Sequence, residues 1–351
     1  MTVTDRRTIL KAGAMLPFLF ASTDEVLGQT ASPVSPFPYG QPIGQYPQPE
    51  FIRDALRLHF GSALQDKSKL FDGWDKDIVA YGMAPQPIGK DMLRAFYTAV
   101  FEEFPDFRLV DDVMLVAGDM GAHRYHALGT HTGGKSPTHA KIMFRGQTIY
   151  RVNSAGYIVW RNSNHDHGFR ESQLDYFRQP SAAGPVRSWA PDPFAPSVSV
   201  VQLHTPATGM TEHSIRDIFA QMQNAFNQPR KRSDFWRNFS PSAAICGLNH
   251  DDPLKPMPLS ALVERDQSLR AGLNRFKMWT EELIVCGDHV AHLYRLEGKH
   301  SGGAISGKPA DGRDIVLREQ AVYRFGSDNR IAEMWINHDR RLFEQQFGKG
   351  S

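Results

Sequence analysis

The sequence lacks most of the features that announce a function. Cysteine occurs twice in 351 residues, at Cys246 and Cys286, and two cysteines define neither a disulfide framework nor a Cys-rich metal site. An oxidising compartment would permit one bridge between them; the other reading is two small core residues. Net charge is nearly absent at +2, and the longest basic cluster, "PRKRSD", is too small a footprint for nucleic acid. No Gly-rich phosphate loop, nucleophile elbow or dinucleotide fingerprint occurs. The apolar run from Ile9 to Ala21 is shorter than the roughly 20 residues a membrane-spanning helix needs. Small molecules or protein are therefore the expected partners, with no nucleic acid and no membrane span.

What is present begins with "TDRRTILKAGAMLPFLFASTDEVLGQTA". Paired arginines Arg6 and Arg7 precede the apolar run, Lys11 follows the first apolar pair, and small residues come after. This order resembles a twin-arginine export signal, which implies a periplasmic or secreted protein. Pro-rich stretches then punctuate the chain, because proline lacks an amide proton and disfavours helix in the residue before it. They divide it into an export segment over 1–31, a lead-in over 32–48, a first domain over 49–178, a linker over 179–205 and a second domain over 206–349.

The two domains are copies. "LVAGDMGAHRYHALGTHTGG" from Leu115 aligns without gaps to "IVCGDHVAHLYRLEGKHSGG" from Ile284. It matches Gly118 to Gly287, Asp119 to Asp288, His123 to His292, Tyr125 to Tyr294 and His131 to His300. Further on, Arg145, Gln147, Tyr150 and Arg151 match Arg318, Gln320, Tyr323 and Arg324. A long period of this kind means a duplicated domain rather than a solenoid. Each copy opens with apolar residues at helical spacing (Ile52, Leu56; Ile215, Phe219, Met222) and a helix-rich region. Turn-bounded strands follow, over 108–116, 121–131, 140–153 and 157–166 in copy one, and 315–325 and 330–339 at the end of copy two. Helices first and a strand meander afterwards is an α+β layout, a curved antiparallel sheet wrapped on helices.

The ordered series "FPDF", "GTHTGG" and "YRVNSAGYIVWRNSNHD", with "YRFGSDNRIAEMWINHDRRLFEQQFG" in copy two, resembles the SnoaL-like polyketide cyclase family of the nuclear transport factor 2-like superfamily. The resemblance covers nearly everything outside the signal and linkers. It implies two tandem cone-shaped domains, each enclosing a pocket. It also implies catalysis by an aspartate at the end of the last strand with a histidine nearby, and no metal or cofactor. Carried over, the aspartate falls on Asp166 and Asp339, and the histidine on His131 and His300. Copy two departs in reading Gly-Lys-His, and copy one in reading Trp160-Arg161-Asn162 where copy two has Glu333-Met334-Trp335.

The residues themselves support that chemistry through alternation. Side chains two apart on a strand share a face, so Trp160, Asn162, Asn164 and Asp166 line one side, and Glu333, Trp335, Asn337 and Asp339 its counterpart. On a concave face, Trp160, Asn164, Trp335 and Asn337 would contact substrate, and desolvation would bring the aspartates toward a usable pKa. The alternatives are an aspartate on the solvent face, or one that caps the next helix. His123 and Tyr125, with His292 and Tyr294, share a parity suited to substrate binding; the alternative is histidines bonded within the sheet. Arg145, Gln147 and Arg151, with Arg318, Gln320 and Arg324, either face inward to bind a carboxylate or polarise a carbonyl, or face outward as an ordinary solvated face or as the surface on which the domains dock, pairing the two within one chain. A metal edge at His165 and His167 is the competing idea, but Arg340 stands for His167 in copy two. Acid/base chemistry on a small, largely apolar carbonyl or ester compound is the expectation. The alternative is a periplasmic binding or accessory protein with the same pocket.

Overall fold

The computed structural model describes residues 66–83, 86–134, 137–165, 210–248, 255–305 and 307–338, together with Ile52, Ala55 and Leu56. The export segment, both Pro-rich stretches, Asp166 and Asp339 lie outside the described residues.

In copy one, strand β1 (Trp74–Tyr81) precedes helix α1 (Lys90–Glu103), and a four-strand meander follows: β2 (Arg108–Ala117), β3 (Met120–Thr130), β4 (Lys141–Val152) and β5 (Ile158–His165). Helix α1 buries Leu93, Tyr97 and Val100, the spacing of one helical face, and stops at Phe104-Pro105, where proline ends helical geometry. Copy two begins with α2 (Glu212–Asn227), whose Thr211 side chain accepts the Ser214 amide at 3.1 Å as an N-cap. It continues through α3 (Arg232–Trp236), β6 (Phe239–Cys246), β7 (Met257–Pro258) and α4 (Leu259–Gly272). The last four strands are β8 (Leu273–Cys286), β9 (His289–His300), β10 (Asp314–Phe325) and β11 (Ile331–His338).

The sheets are open, ordered β1-β5-β4-β3-β2 and β7-β6-β11-β10-β9-β8. The expected meander is there within a residue or two at each end. One difference is that β1 and β6 are strands, paired parallel to β5 and β11, so each sheet is mixed rather than wholly antiparallel. Sequence alternation hides β1 because only Trp74, Ile78 and Ala80 are buried. The "DKD" between them is exposed or half-buried, and the register shifts between Trp74 and Val79.

Each sheet uses its two faces differently. One face carries the domain's own core. In copy one Met114, Val116, Tyr150, Val152 and Ile158 pack with Leu93 and Tyr97, and Tyr125, Ala127 and Ile142 pack with Val100 and Phe104. Copy two gathers a single larger core around Phe219, Tyr294, Tyr323 and Phe325. The opposite faces meet each other. Leu115, Ala122, Ile149 and Trp160 of copy one join Ile284, Ala291, Leu293 and Val322 of copy two in one buried cluster.

Hydrogen bonds across that junction come in reciprocal pairs. Asn164 Nδ2 donates to the Asn337 carbonyl at 2.9 Å, and Asn337 Nδ2 donates to the Asn164 carbonyl. Gln147 Nε2 donates to the Trp335 carbonyl at 2.8 Å, and Gln320 Nε2 donates to the Asn162 carbonyl at 3.0 Å. Asn164 and Asn337 are equivalent positions, as are Gln147 and Gln320, and Asn162 and Trp335, so the contacts are those of a two-fold, self-complementary interface. At the rim, Arg124 stacks on Trp335 with 4.2 Å between guanidinium and ring centroid, and Arg151 lies 3.9 Å from the Glu282 carboxylate.

These amides are buried, with Asn164 at 6% and Asn337 at 2% exposure. Truncating one leaves a buried carbonyl without its donor, which costs about 1–3 kcal/mol. Asn164→Ala and Asn337→Ala are each expected to lower stability by that amount in urea unfolding. A loss below about 0.5 kcal/mol, the range of an ordinary surface substitution, would contradict the role given to these amides.

Candidate active site

Inward of the first sheet lies a chain of bonded polar groups. On β3, Tyr125 points to the helix side, and its hydroxyl lies 3.2 Å from His165 Nδ1 on β5 and 3.4 Å from Thr148 Oγ1 on β4. Thr148 donates to Ser163 Oγ at 3.1 Å. Arg161, two residues along β5 from Ser163, donates from Nε to Ser163 Oγ at 3.0 Å and from Nη2 to the Tyr97 hydroxyl of α1 at 3.0 Å. All of these side chains are buried, with Arg161 at 2% exposure. Strand alternation delivers them: Arg161, Ser163 and His165 share one parity on β5, opposite to Asn162 and Asn164.

Burial holds the Tyr125 hydroxyl well above its ordinary pKa; nearby Tyr97 and Tyr150 act in the same direction and Arg161 opposes them. Tyr125 is therefore a neutral hydrogen-bond donor rather than a base at physiological pH. Its ring is stacked 4.8 Å from that of His123. A side chain at Gly146 would collide with it, since a Cβ there would sit 2.4 Å from Tyr125 Cζ.

Copy two builds a different interior on the same scaffold. Glu319 stands at the position of Gly146 and is 1% exposed. Its carboxylate accepts from the Tyr294 hydroxyl at 2.8 Å and from the guanidinium of Arg265 on α4. Burial, the largest influence on Arg265, pulls its pKa down, and the charge and hydrogen bond of Glu319 more than offset it. The other inward positions turn apolar: Ala321 for Thr148, Met334 for Arg161 and Ile336 for Ser163, all buried. His292 keeps its stacking on Tyr294 at 4.7 Å, and its Nε2 lies 2.9 Å from Thr280 Oγ1.

The residues singled out from sequence separate into three groups. His123, Tyr125, His292 and Tyr294 face their domain interiors. Trp160, Asn164, Trp335 and Asn337 face the other domain instead, because the face that alternation assigns them is the one the two sheets use to meet. Trp335 and Asn337 there line, with Asp112, Arg124, His126, Arg145, Gln147 and Cys246, a cleft of about 110 Å³, small beside the roughly 300–1,000 Å³ of a drug-sized ligand pocket. His131 and His300 stand at strand ends. The Thr138 amide donates to His131 Nδ1 at 3.1 Å, which leaves the proton on Nε2, 3.3 Å from the Glu103 carboxylate. His131 thus ties the end of α1 to the β3–β4 loop, and His300 lies 3.7 Å from Asp311 in the matching loop. Asp166 and Asp339 lie outside the described residues, as does His167. Both cysteines are free thiols, and burial raises the pKa of Cys286.

Sequence reasoning missed Arg161, Ser163 and Thr148 as a set, and Glu319 with Arg265. The signal was available in the differences between the copies rather than in their matches. Gly146 against Glu319, Arg161 against Met334 and Ser163 against Ile336 are all changes of polarity at inward positions.

A family model described as SnoaL-like polyketide cyclase matches residues 60–167 and 236–347, more than half of the chain. No curated protein matches it. Among solved structures, the chain is similar to IdmH from Streptomyces antibioticus at 24% identity over 36% of this chain and 99% of that one, with a TM-score of 0.32. It is similar to AclR from Streptomyces galilaeus at 18% identity over 38% and 85%, TM-score 0.34. It is also similar to a SnoaL-like polyketide cyclase from Agrobacterium tumefaciens at 19% identity over 35% and 97%, TM-score 0.30.

Burial pushes the His292 pKa from 6.5 down to about 3, so the folded protein holds this ring neutral where an unfolded chain would protonate it. The resulting stability is fully present above pH 6.5 and is lost as pH falls through the window toward 3, at no more than about 1.4 kcal/mol per pH unit for one proton. Urea unfolding across that window is expected to show a shallower pH slope for His292→Gln than for the wild type; parallel slopes would contradict it.

Proposed function

Because this chain belongs to the SnoaL-like polyketide cyclase family, we propose that its first domain is an acid/base catalyst that needs no cofactor and acts on a small, largely apolar carbonyl or ester compound. The observation that carries this reading is the buried series Tyr97, Arg161, Ser163, Thr148, Tyr125 and His165, bonded in sequence beneath one sheet. Tyr125, a neutral phenol, would donate to a substrate carbonyl oxygen. Charge developing there as an adjacent carbon loses its proton would be stabilised by that bond. Asp166, next in sequence to His165, is the proposed proton acceptor, with Asp339 its counterpart in the second domain.

The second domain supports a different part. Its Glu319 is already satisfied by Arg265 and Tyr294, and apolar side chains replace the polar neighbours, so we assign it a supporting or ligand-holding role. The two domains act as an intramolecular dimer on this account. The paired arginines and apolar run at the N-terminus favour export to the periplasm, where the alternative of a non-catalytic binding protein would share the same pocket.

The test is proton exchange into a small β-ketoester in heavy water, followed by proton NMR. Tyr125→Phe removes one donor and is expected to slow exchange by about 10²–10³-fold, Asp166→Asn at least as much, and Asp339→Asn little. Wild-type rates in both Tyr125→Phe and Asp166→Asn would end the acid/base reading. Binding of the ketoester without any exchange by the wild type would favour the binding protein.

A further inference from the structure

Arg161 is 2% exposed, and its partners are hydroxyls and rings rather than a carboxylate. Nε and Nη2 donate to Ser163 and Tyr97, and Trp74, Tyr97 and Tyr150 stand around the guanidinium with centroids 5.9, 5.5 and 5.7 Å from Cζ. Among the described residues no carboxylate pairs with it. A guanidinium keeps its proton in a protein, so this is a full positive charge in the domain interior. Taking such a charge out of water is costly, and a single neutral hydrogen bond or cation–π contact returns only part of that cost.

The second copy provides an internal control. At the equivalent position stands Met334, while Ile336 replaces Ser163 and Ala321 replaces Thr148, the group bonded to Ser163. Two guanidiniums that copy two brings inward, Arg265 and Arg270, are matched by the carboxylates of Glu319 and Asp266. The same scaffold thus folds without a charge at this strand position, and where it does bury an arginine it supplies the counter-charge. Among the described residues, copy one buries the arginine beside hydroxyls and rings alone, the arrangement of a site whose anion arrives from outside.

We propose that Arg161, with Ser163 and Tyr97 fixing its orientation, is a recognition subsite for the carboxylate of a small ligand. The guanidinium fork takes the carboxylate oxygens. The substrate class of the first domain is then a carbonyl compound that also carries a carboxylate. This inference rests on the reading of the first domain as the working pocket, yet it is separable from the chemistry assigned there. Carboxylate binding without proton exchange would end the catalytic reading and leave the subsite standing. Exchange with no preference for acids would end the subsite alone.

The experiment uses benzoate and its neutral isostere methyl benzoate as probes, titrated into the full chain by calorimetry. The wild type is expected to bind benzoate more tightly than the ester. Arg161→Met, the residue the second copy carries, is expected to weaken benzoate about 10- to 100-fold, a change of about 1.4 to 2.8 kcal/mol, while leaving the ester unchanged. Its thermal midpoint in chloride is expected to rise, because an unpaired buried charge has been removed. Arg161→Lys keeps a preference for the acid. Equal affinity of the wild type for benzoate and methyl benzoate overturns the inference even if Arg161→Met fails to fold, and so does an undiminished acid preference in Arg161→Met.

Discussion

The reciprocal exchange of amide hydrogen bonds between the two sheets is the constraint on which the rest depends. Asn164 and Asn337 each donate to the other's backbone carbonyl, and Gln147 and Gln320 do the same to Trp335 and Asn162. Once those side chains face the neighbouring domain, strand geometry sends their neighbours the other way. Arg161, Ser163 and His165 are turned inward because Asn162 and Asn164 are turned outward. A one-residue slip in β5 would exchange the two sets, leaving amides in the core and an arginine against the apolar face of the second sheet. The docking surface and the candidate active site are therefore specified by the same eight residues of one strand.

Duplication explains why this arrangement persists twice while the interiors diverge. The junction is self-complementary, so each copy needs the same amides at the same positions to meet its twin. Nothing imposes such matching on the inward faces. There the second copy has Glu319 with its own cation, Arg265, and apolar side chains where the first has Thr148 and Ser163, whereas the first has Arg161 among hydroxyls and aromatic rings. Both interiors share the two His–Tyr stacks, at 4.8 and 4.7 Å, and the buried tyrosine at Tyr150 and Tyr323.

Much of the fold was legible in the sequence and rather less of the site. Apolar spacing located the helices, turn residues located the meander, and the repeated "NHD" located the last strand of each copy. Strands β1 and β6 escaped because each makes few buried contacts separated by polar residues and gains its place from a parallel partner far along the chain. The choice of face escaped for a physical reason: period-2 alternation says which side chains go together and never which side is inside. Trp160, Asn164, Trp335 and Asn337 looked like pocket residues because aromatic and amide groups suit both a ligand and a buried interface. The inward set was overlooked because its members, Arg161, Ser163 and Thr148, differ between the copies, while attention to a repeat favours what is preserved.

The central claim is that this parity assigns chemistry to the helix side of the first sheet and docking to the other side. A crystal structure of the protein grown with a small aromatic keto acid tests it most directly. The account predicts ligand density in the first domain, with an oxygen within hydrogen-bond distance of the Arg161 guanidinium and a carbonyl near the Tyr125 hydroxyl. Density against Trp335 and Asn337 in the cleft between the domains, with the interior of the first domain unchanged, would contradict it.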